Sequence, residues 1–96
     1  MKTLFFQCRG EWFKVNERGE MTQAHNNDFS WSWKFLGVSK HHWSLHIDVS
    51  AAKGIENPQA LVGGLVWDVD HGTTRTWGGS YCGKLPRIQS AYIKEV

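Results

Sequence analysis

The chain has 96 residues, is 41% hydrophobic and 21% charged, and carries a formal net charge of +2. This size and composition predict one globular domain over residues 1–96 and exclude a disordered chain. The basic residues are scattered rather than gathered in a stripe, which argues against nucleic acid as a partner. No apolar stretch reaches the length of a membrane span, and the apolar run after Lys2 is too short for a secretory signal. We therefore expect no membrane contact and a cytoplasmic location.

The first predicted element is a strand near the N-terminus, where apolar residues occupy every second position. Its apolar face consists of Leu4, Phe6 and Cys8. We expect Gly10 to form a β-bulge, after which Phe13 and Val15 continue the same face. The direction in which Trp12 points depends on that bulge.

A hairpin and two longer strands are predicted next. In residues 15–21, Asn16 opens a turn and Gly19 closes it with a positive φ. Two alternating runs follow, Phe29–Leu36 and His42–Val49. Their apolar faces consist of Phe29, Trp31, Trp33 and Phe35 in the first run and of Trp43, Leu45, Ile47 and Val49 in the second.

The alternation stops over residues 50–63, where we expect one or two short helical turns. Ser50 is suited to cap the first of them. Asn57 followed by Pro58 is a typical helix start, and Gly63 is a typical end.

The most clearly predicted hairpin covers residues 65–77, with His71 and Gly72 at its turn. A two-residue loop places Val69 opposite Thr74, Asp68 opposite Arg75, and Trp67 opposite Thr76. A slip of one residue would lose the charge pair between Asp68 and Arg75, so this register is favoured.

The whole pattern predicts a mostly β fold. Residues 88–96 fit a strand better than the alternative, a helix with Ile88, Ala91 and Tyr92 on one face. Six to eight short strands separated by turns indicate a compact antiparallel β-sandwich or a small open barrel. Six Trp, five Phe and two Tyr supply large apolar side chains for its core. The tryptophans assigned to the core are Trp31, Trp33, Trp43 and Trp67.

The cysteines, Cys8 and Cys82, are too far apart in sequence for a metal or redox pair. We expect two reduced and mostly buried thiols, with a single bridge between them as the alternative.

Two groups of side chains have the chemistry of a metal site. Asp68, Asp70 and His71 lie around a turn that contains glycine, where carboxylates at alternate positions can converge on a cation. His46 and Asp48 share one face of a predicted strand and would need a neighbouring strand to complete a site. The first group lacks the later acids of an EF-hand loop, and His71 interrupts the nucleophile motif of haloacid-dehalogenase phosphatases. Polar residues at a turn and on a wet sheet surface are the simpler interpretation of both groups.

The best candidate for ligand binding is Trp77. The predicted register places Trp77 on the same face as Arg75 and Asp68, beside a glycine-rich segment that carries Tyr81. His71 lies at the tip of the same hairpin. An aromatic ring with an acid and a base beside it can hold a sugar, a base or a side chain of a partner. The alternative is that Trp77 closes the edge of the core.

These features predict a small non-enzymatic binding or interaction module that uses no cofactor. Its ligand is expected to be a protein partner or a small polar molecule, and self-association through a sheet face is a further expectation. The alternative is a small metal-dependent hydrolase that uses the His and Asp residues named above. Binding of single-stranded nucleic acid by stacking on tryptophan is a weaker alternative.

Overall fold

The computed structural model describes residues 2–25, 34–39, 56–70, 73–76 and 87–95. Seven strands and one 3-10 helix lie in these residues. The strands are β1 Lys2–Cys8, β2 Glu11–Val15, β3 Met21–Gln23, β4 Lys34–Ser39, β5 Leu65–Asp70, β6 Thr73–Thr76 and β7 Ile88–Glu95, and the 3-10 helix is Pro58–Leu61. All of the strand pairs are antiparallel, so the predicted mostly β fold is confirmed.

The first sheet has the strand order β3-β2-β1-β7. The predicted inner face is confirmed, because Leu4, Phe6, Cys8, Phe13 and Val15 are all buried. The predicted bulge at Gly10 is wrong. Cys8 pairs with Glu11, so Arg9 and Gly10 form a two-residue hairpin turn, with φ angles of 59° and 79°. Two positive φ angles are typical of a type I′ turn, whose twist matches that of the flanking strands.

The predicted hairpin between β2 and β3 is confirmed. Gly19 has a φ of 86°, and its N–H donates to the carbonyl of Asn16 at 2.9 Å. The side-chain oxygen of Asn16 accepts from the N–H groups of Arg18 and Glu20, both at 3.0 Å. The Asn16 side chain therefore supplies a hydrogen-bond acceptor to two backbone N–H groups of the turn.

The last strand, β7, contains the bulge of this sheet. Cys8 pairs with Ile88 and Gln7 with Ser90, which leaves Gln89 as the extra residue. The side chain of Gln89 accepts a hydrogen bond from the N–H of Gly10 at 3.0 Å. Because the bulge shifts the alternation by one residue, Ile88 and Ala91 both face the core although they are three positions apart. A spacing of three residues is also typical of one face of a helix, so the sequence allows a helix here as an alternative to a strand.

The second sheet has the order β4-β5-β6. The predicted register between β5 and β6 is confirmed by the pairing of Trp67 with Thr76, Asp68 with Arg75, and Val69 with Thr74. β4 extends beyond the predicted end at Leu36. Phe35 pairs with Asp68 and Gly37 with Trp67, so Leu36 is the extra residue of a bulge, after which the strand continues. The earlier part of that predicted strand and the whole of the predicted strand 42–49 lie outside the described residues.

One predicted helical turn is confirmed as the 3-10 helix Pro58–Leu61. Pro58 occupies its first turn, and the carbonyl of Asn57 accepts from the N–H of Ala60 at 3.2 Å. Gly63 follows with a φ of 87°. The other predicted turn, near Ser50, lies outside the described residues. Among the residues that the structure describes, no helix has the length and apolar character needed to cross a bilayer.

The two sheets enclose one core. Its buried members are Leu4, Phe6, Cys8, Phe13, Val15, Met21, Phe35, Val38, Leu61, Val66, Ile88 and Ala91. The sheets also meet at both sides: the N–H of Phe35 donates to the carbonyl of Gly19 at 2.7 Å, and the N–H of Ile88 to that of Gly64 at 2.9 Å. The architecture is therefore a small two-sheet β structure with backbone connections between the sheets.

The second sheet is covered on its other face as well. Trp67 and Leu65 alternate with Val66 along β5, and all three are buried. The prediction that Trp67 is a buried residue is confirmed. Trp31, Trp33 and Trp43 lie outside the described residues.

Candidate functional site

The structure describes only part of the ligand site predicted around Trp77. Asp68 and Arg75 lie opposite each other on β5 and β6, as the register requires. Asp68 also lies opposite Phe35 of β4, and Phe35 is part of the core. Trp77, Tyr81 and His71 lie outside the described residues. The ion pair and the Trp77 site therefore stay predictions.

The predicted metal ligands are also described only in part. Asp70 lies opposite Thr73 at the end of the β5–β6 hairpin, while His46 and Asp48 are outside the described residues. Within the described ranges, no group of three or more His, Cys, Asp or Glu side chains is placed to hold a metal ion.

Cys8 is a free and buried thiol. Burial raises its pKa from 9.0 to about 11, Arg9 lowers it in part, and Glu11 adds a small further rise. The thiol is therefore protonated at neutral pH. Since the thiolate is the nucleophilic form, Cys8 has the character of a core residue and not of a catalytic one.

A different site lies on the outward face of the four-stranded sheet, where three aromatic rings from three strands meet. The rings of Phe5 and Tyr92 are stacked, with centroids 5.1 Å apart and planes 7° apart. Trp12 contacts Tyr92 edge-on, with centroids 5.4 Å apart and planes at 61°. We call Phe5, Trp12 and Tyr92 the aromatic surface.

Strand register explains why these rings meet. Phe5 lies directly opposite Tyr92 on the neighbouring strand, which is the closest cross-strand position. Trp12 lies opposite Gln7, and its long side chain extends over β1 toward β7. Each ring is outward because its strand neighbours Leu4, Phe13 and Ala91 are buried on the inner face.

Exposure increases toward the edge of the sheet. Phe5 and Trp12 are half-buried, whereas 45% of Tyr92 is exposed. Phe5 covers one face of the Tyr92 ring. β7 is the last strand of this sheet, and along its outer side the Ile88 carbonyl accepts from the N–H of Gly63 while Gln59 donates to the carbonyl of Ala91.

Polar and basic groups border the aromatic surface. The Ser90 hydroxyl donates to the side-chain oxygen of Gln7 at 3.5 Å, in the row across the sheet that also contains Trp12. Lys94 is exposed and lies two residues after Tyr92 on the same face, which corresponds to about 7 Å along the strand. Lys14 lies opposite Phe5 on β2, is 6% exposed, and has its pKa lowered by burial.

The row that contains Lys14 continues onto β3. Thr22 lies opposite Lys14, is 1% exposed, and its hydroxyl has no hydrogen-bond partner among the described residues. On the outward face, the residue on β3, Thr22, is thus buried, whereas Tyr92 on β7 is exposed.

The sequence contains part of the signal for this site. Phe5 and Trp12 face outward once Leu4 and Phe13 are assigned to the core, which alternation alone allows. The outward direction of Tyr92 does not follow from alternation alone, because it depends on the bulge at Gln89.

The chain matches no protein-family model, no curated protein and no solved structure. Its function is therefore inferred from the aromatic surface itself.

Proposed function

We propose that the protein is a small non-enzymatic binding module that holds a ring-bearing polar molecule on its aromatic surface. The observation that carries this proposal is the stack of Phe5 and Tyr92, 5.1 Å between centroids, on the outward face of a sheet whose inner face supplies the core. Trp12 extends the surface to a third strand.

Cross-strand stabilisation alone explains a pair of facing aromatic residues, since such pairs stabilise a sheet by about 0.2–1 kcal/mol. It does not explain why Trp12 also contacts Tyr92, or why 45% of Tyr92 stays exposed. Flat ring faces bind sugars and bases by stacking, and nearby polar groups orient them. Gln7 and Ser90, which hydrogen-bond to each other beside the rings, are the polar groups that we assign to this role.

Titration with two uncharged probes, adenosine and cellobiose, tests this proposal. We expect at least one of them to shift the nuclear magnetic resonance signals of Phe5, Tyr92 and the Trp12 indole. Tyr92→Leu keeps apolar volume but removes the ring, so it should weaken binding about tenfold, given the usual size of a stacking contribution. Tyr92→Phe is the matched control, because it keeps the ring at the same position and should retain binding.

The proposal is wrong if neither probe shifts these signals, or if Tyr92→Leu binds as tightly as the unchanged chain. Thermal unfolding of each variant checks that the fold is kept. Binding that is lost in Trp77→Ala but kept in Tyr92→Leu would place the ligand at the predicted loop site instead.

A further inference from the structure

Within the described strands of this sheet, the charged residues at outward positions have the same sign. By alternation, the outward positions of β1, β2, β3 and β7 include Lys14 and Lys94 and no carboxylate. A sheet face with this distribution attracts anions and repels other cations.

Three acidic side chains near this sheet accept hydrogen bonds from other groups, and alternation places a fourth, Glu95, on the face opposite to Lys94. Glu17 accepts from the N–H of Lys2 at 2.7 Å. Glu20 accepts from the side-chain amide of Asn16 at 2.7 Å, and Glu11 from that of Gln23 at 3.1 Å. These contacts hold the carboxylates at hairpins and strand ends.

We infer that the ligand of the aromatic surface is a ring-bearing anion, whose ring stacks on Tyr92 and whose anionic group pairs with Lys94. This inference rests on the proposed function and specifies the ligand class. The ligand ring contacts the part of Tyr92 that stays exposed, 45% of the residue, beside the Phe5–Tyr92 stack. A nucleoside phosphate and an aromatic carboxylate share this chemistry.

The position of Lys94 suits this role. It follows Tyr92 by two residues on the same face, about 7 Å along the strand, and its flexible side chain spans the distance between a stacked ring and its acidic substituent. A lysine on an edge strand also discourages pairing with another chain. That structural role predicts no dependence on ligand charge, so the two roles are separable by experiment.

The test uses two matched pairs of probes, adenosine with its 5′-monophosphate and benzyl alcohol with phenylacetate. In each pair the members differ mainly by the anionic group. We expect the anion of at least one pair to bind about three- to tenfold more tightly than its neutral partner at low salt. The preference should shrink at high ionic strength, because Lys94 is exposed.

Lys94→Gln should remove the preference and leave the neutral probe unaffected, whereas Lys94→Arg should retain it. Lys2→Gln is the control, since Lys2 is an exposed lysine of the same sheet that alternation places on the other face. A preference for the phosphate alone identifies a nucleotide, and one for phenylacetate alone identifies a carboxylate.

Equal affinity for anion and neutral probe overturns the inference, as does a preference that survives Lys94→Gln. Neutral probes that bind in a Tyr92-dependent manner with no charge preference would leave the proposed function standing. Absence of binding by adenosine and cellobiose overturns the proposed function, and with it the inference that rests on it.

Discussion

Cys8 shows how burial sets the chemistry of a single residue. Its side chain is 1% exposed in the core, and burial raises its pKa to about 11. In the unfolded chain the thiol ionises near pH 9.0. Because the unfolded state loses the proton first, the contribution of Cys8 to stability is complete below pH 9 and is lost as pH rises toward 11.

Comparison of the unchanged chain with Cys8→Ala tests this linkage. The free energy of unfolding, measured by urea titration from pH 8 to 11, should fall more steeply for the unchanged chain. A shift of roughly two pKa units is equivalent to about 2.7 kcal/mol, of which about 2 kcal/mol is lost by pH 11. Other groups titrate in both proteins, so the difference isolates Cys8. Parallel pH profiles would show that the thiol is not buried in the folded state.

At the scale of an element, the β2–β3 hairpin is stabilised by one side chain, that of Asn16. Asn16 is 6% exposed, accepts two backbone hydrogen bonds and donates one to Glu20. Asn16→Ala removes all three and leaves two part-buried backbone N–H groups without their acceptor, so the free energy of unfolding should fall by about 2 kcal/mol.

Asn16→Asp separates the accepting from the donating role. Its carboxylate keeps both backbone hydrogen bonds but faces Glu20, whose oxygen lies 2.7 Å from the present amide nitrogen. We expect destabilisation that Glu20→Gln partly relieves in the double variant, measured by urea unfolding with both single variants alongside. If Glu20→Gln changes the free energy of unfolding by the same amount in the unchanged chain and in Asn16→Asp, the two side chains do not interact.

Elements whose pairing is local in sequence were predictable, and irregular ones were not. The β5–β6 register followed from a two-residue turn and the favourable Asp68–Arg75 pair. Gly10 was misassigned because a positive φ suits both a bulge and a type I′ turn, and only the pairing partner of Cys8 distinguishes them.

The candidate site was predictable only in part for the same reason. Phe5 and Trp12 belong to one hairpin, so alternation indicates their common outward face. Tyr92 joins them through pairing between the two ends of the chain, and Gln89 shifts its alternation. A long-range register with a bulge leaves no local pattern in the sequence.

In the molecule as a whole, Phe6 joins the two sheets. Its ring lies 5.5 Å from that of Phe13 on the same sheet and 5.8 Å from that of Phe35 on the other. All three are at most 1% exposed. The Phe6–Phe35 contact is therefore a direct packing interaction between the layers, in addition to the backbone bonds at their sides.

A double-mutant cycle with Phe6→Leu and Phe35→Leu measures this contact. Each single variant should lower the free energy of unfolding by about 1–2 kcal/mol, since leucine fills the aromatic site imperfectly. The double variant should lose less than the sum, by about 0.5–1.5 kcal/mol, because the ring pair can be lost only once. Phe35→Leu combined with Tyr92→Leu is the control and should be additive, since Tyr92 lies on the outward face of the other sheet. Additivity in the Phe6–Phe35 cycle as well would mean that the sheets are held together by their backbone connections and not by these rings.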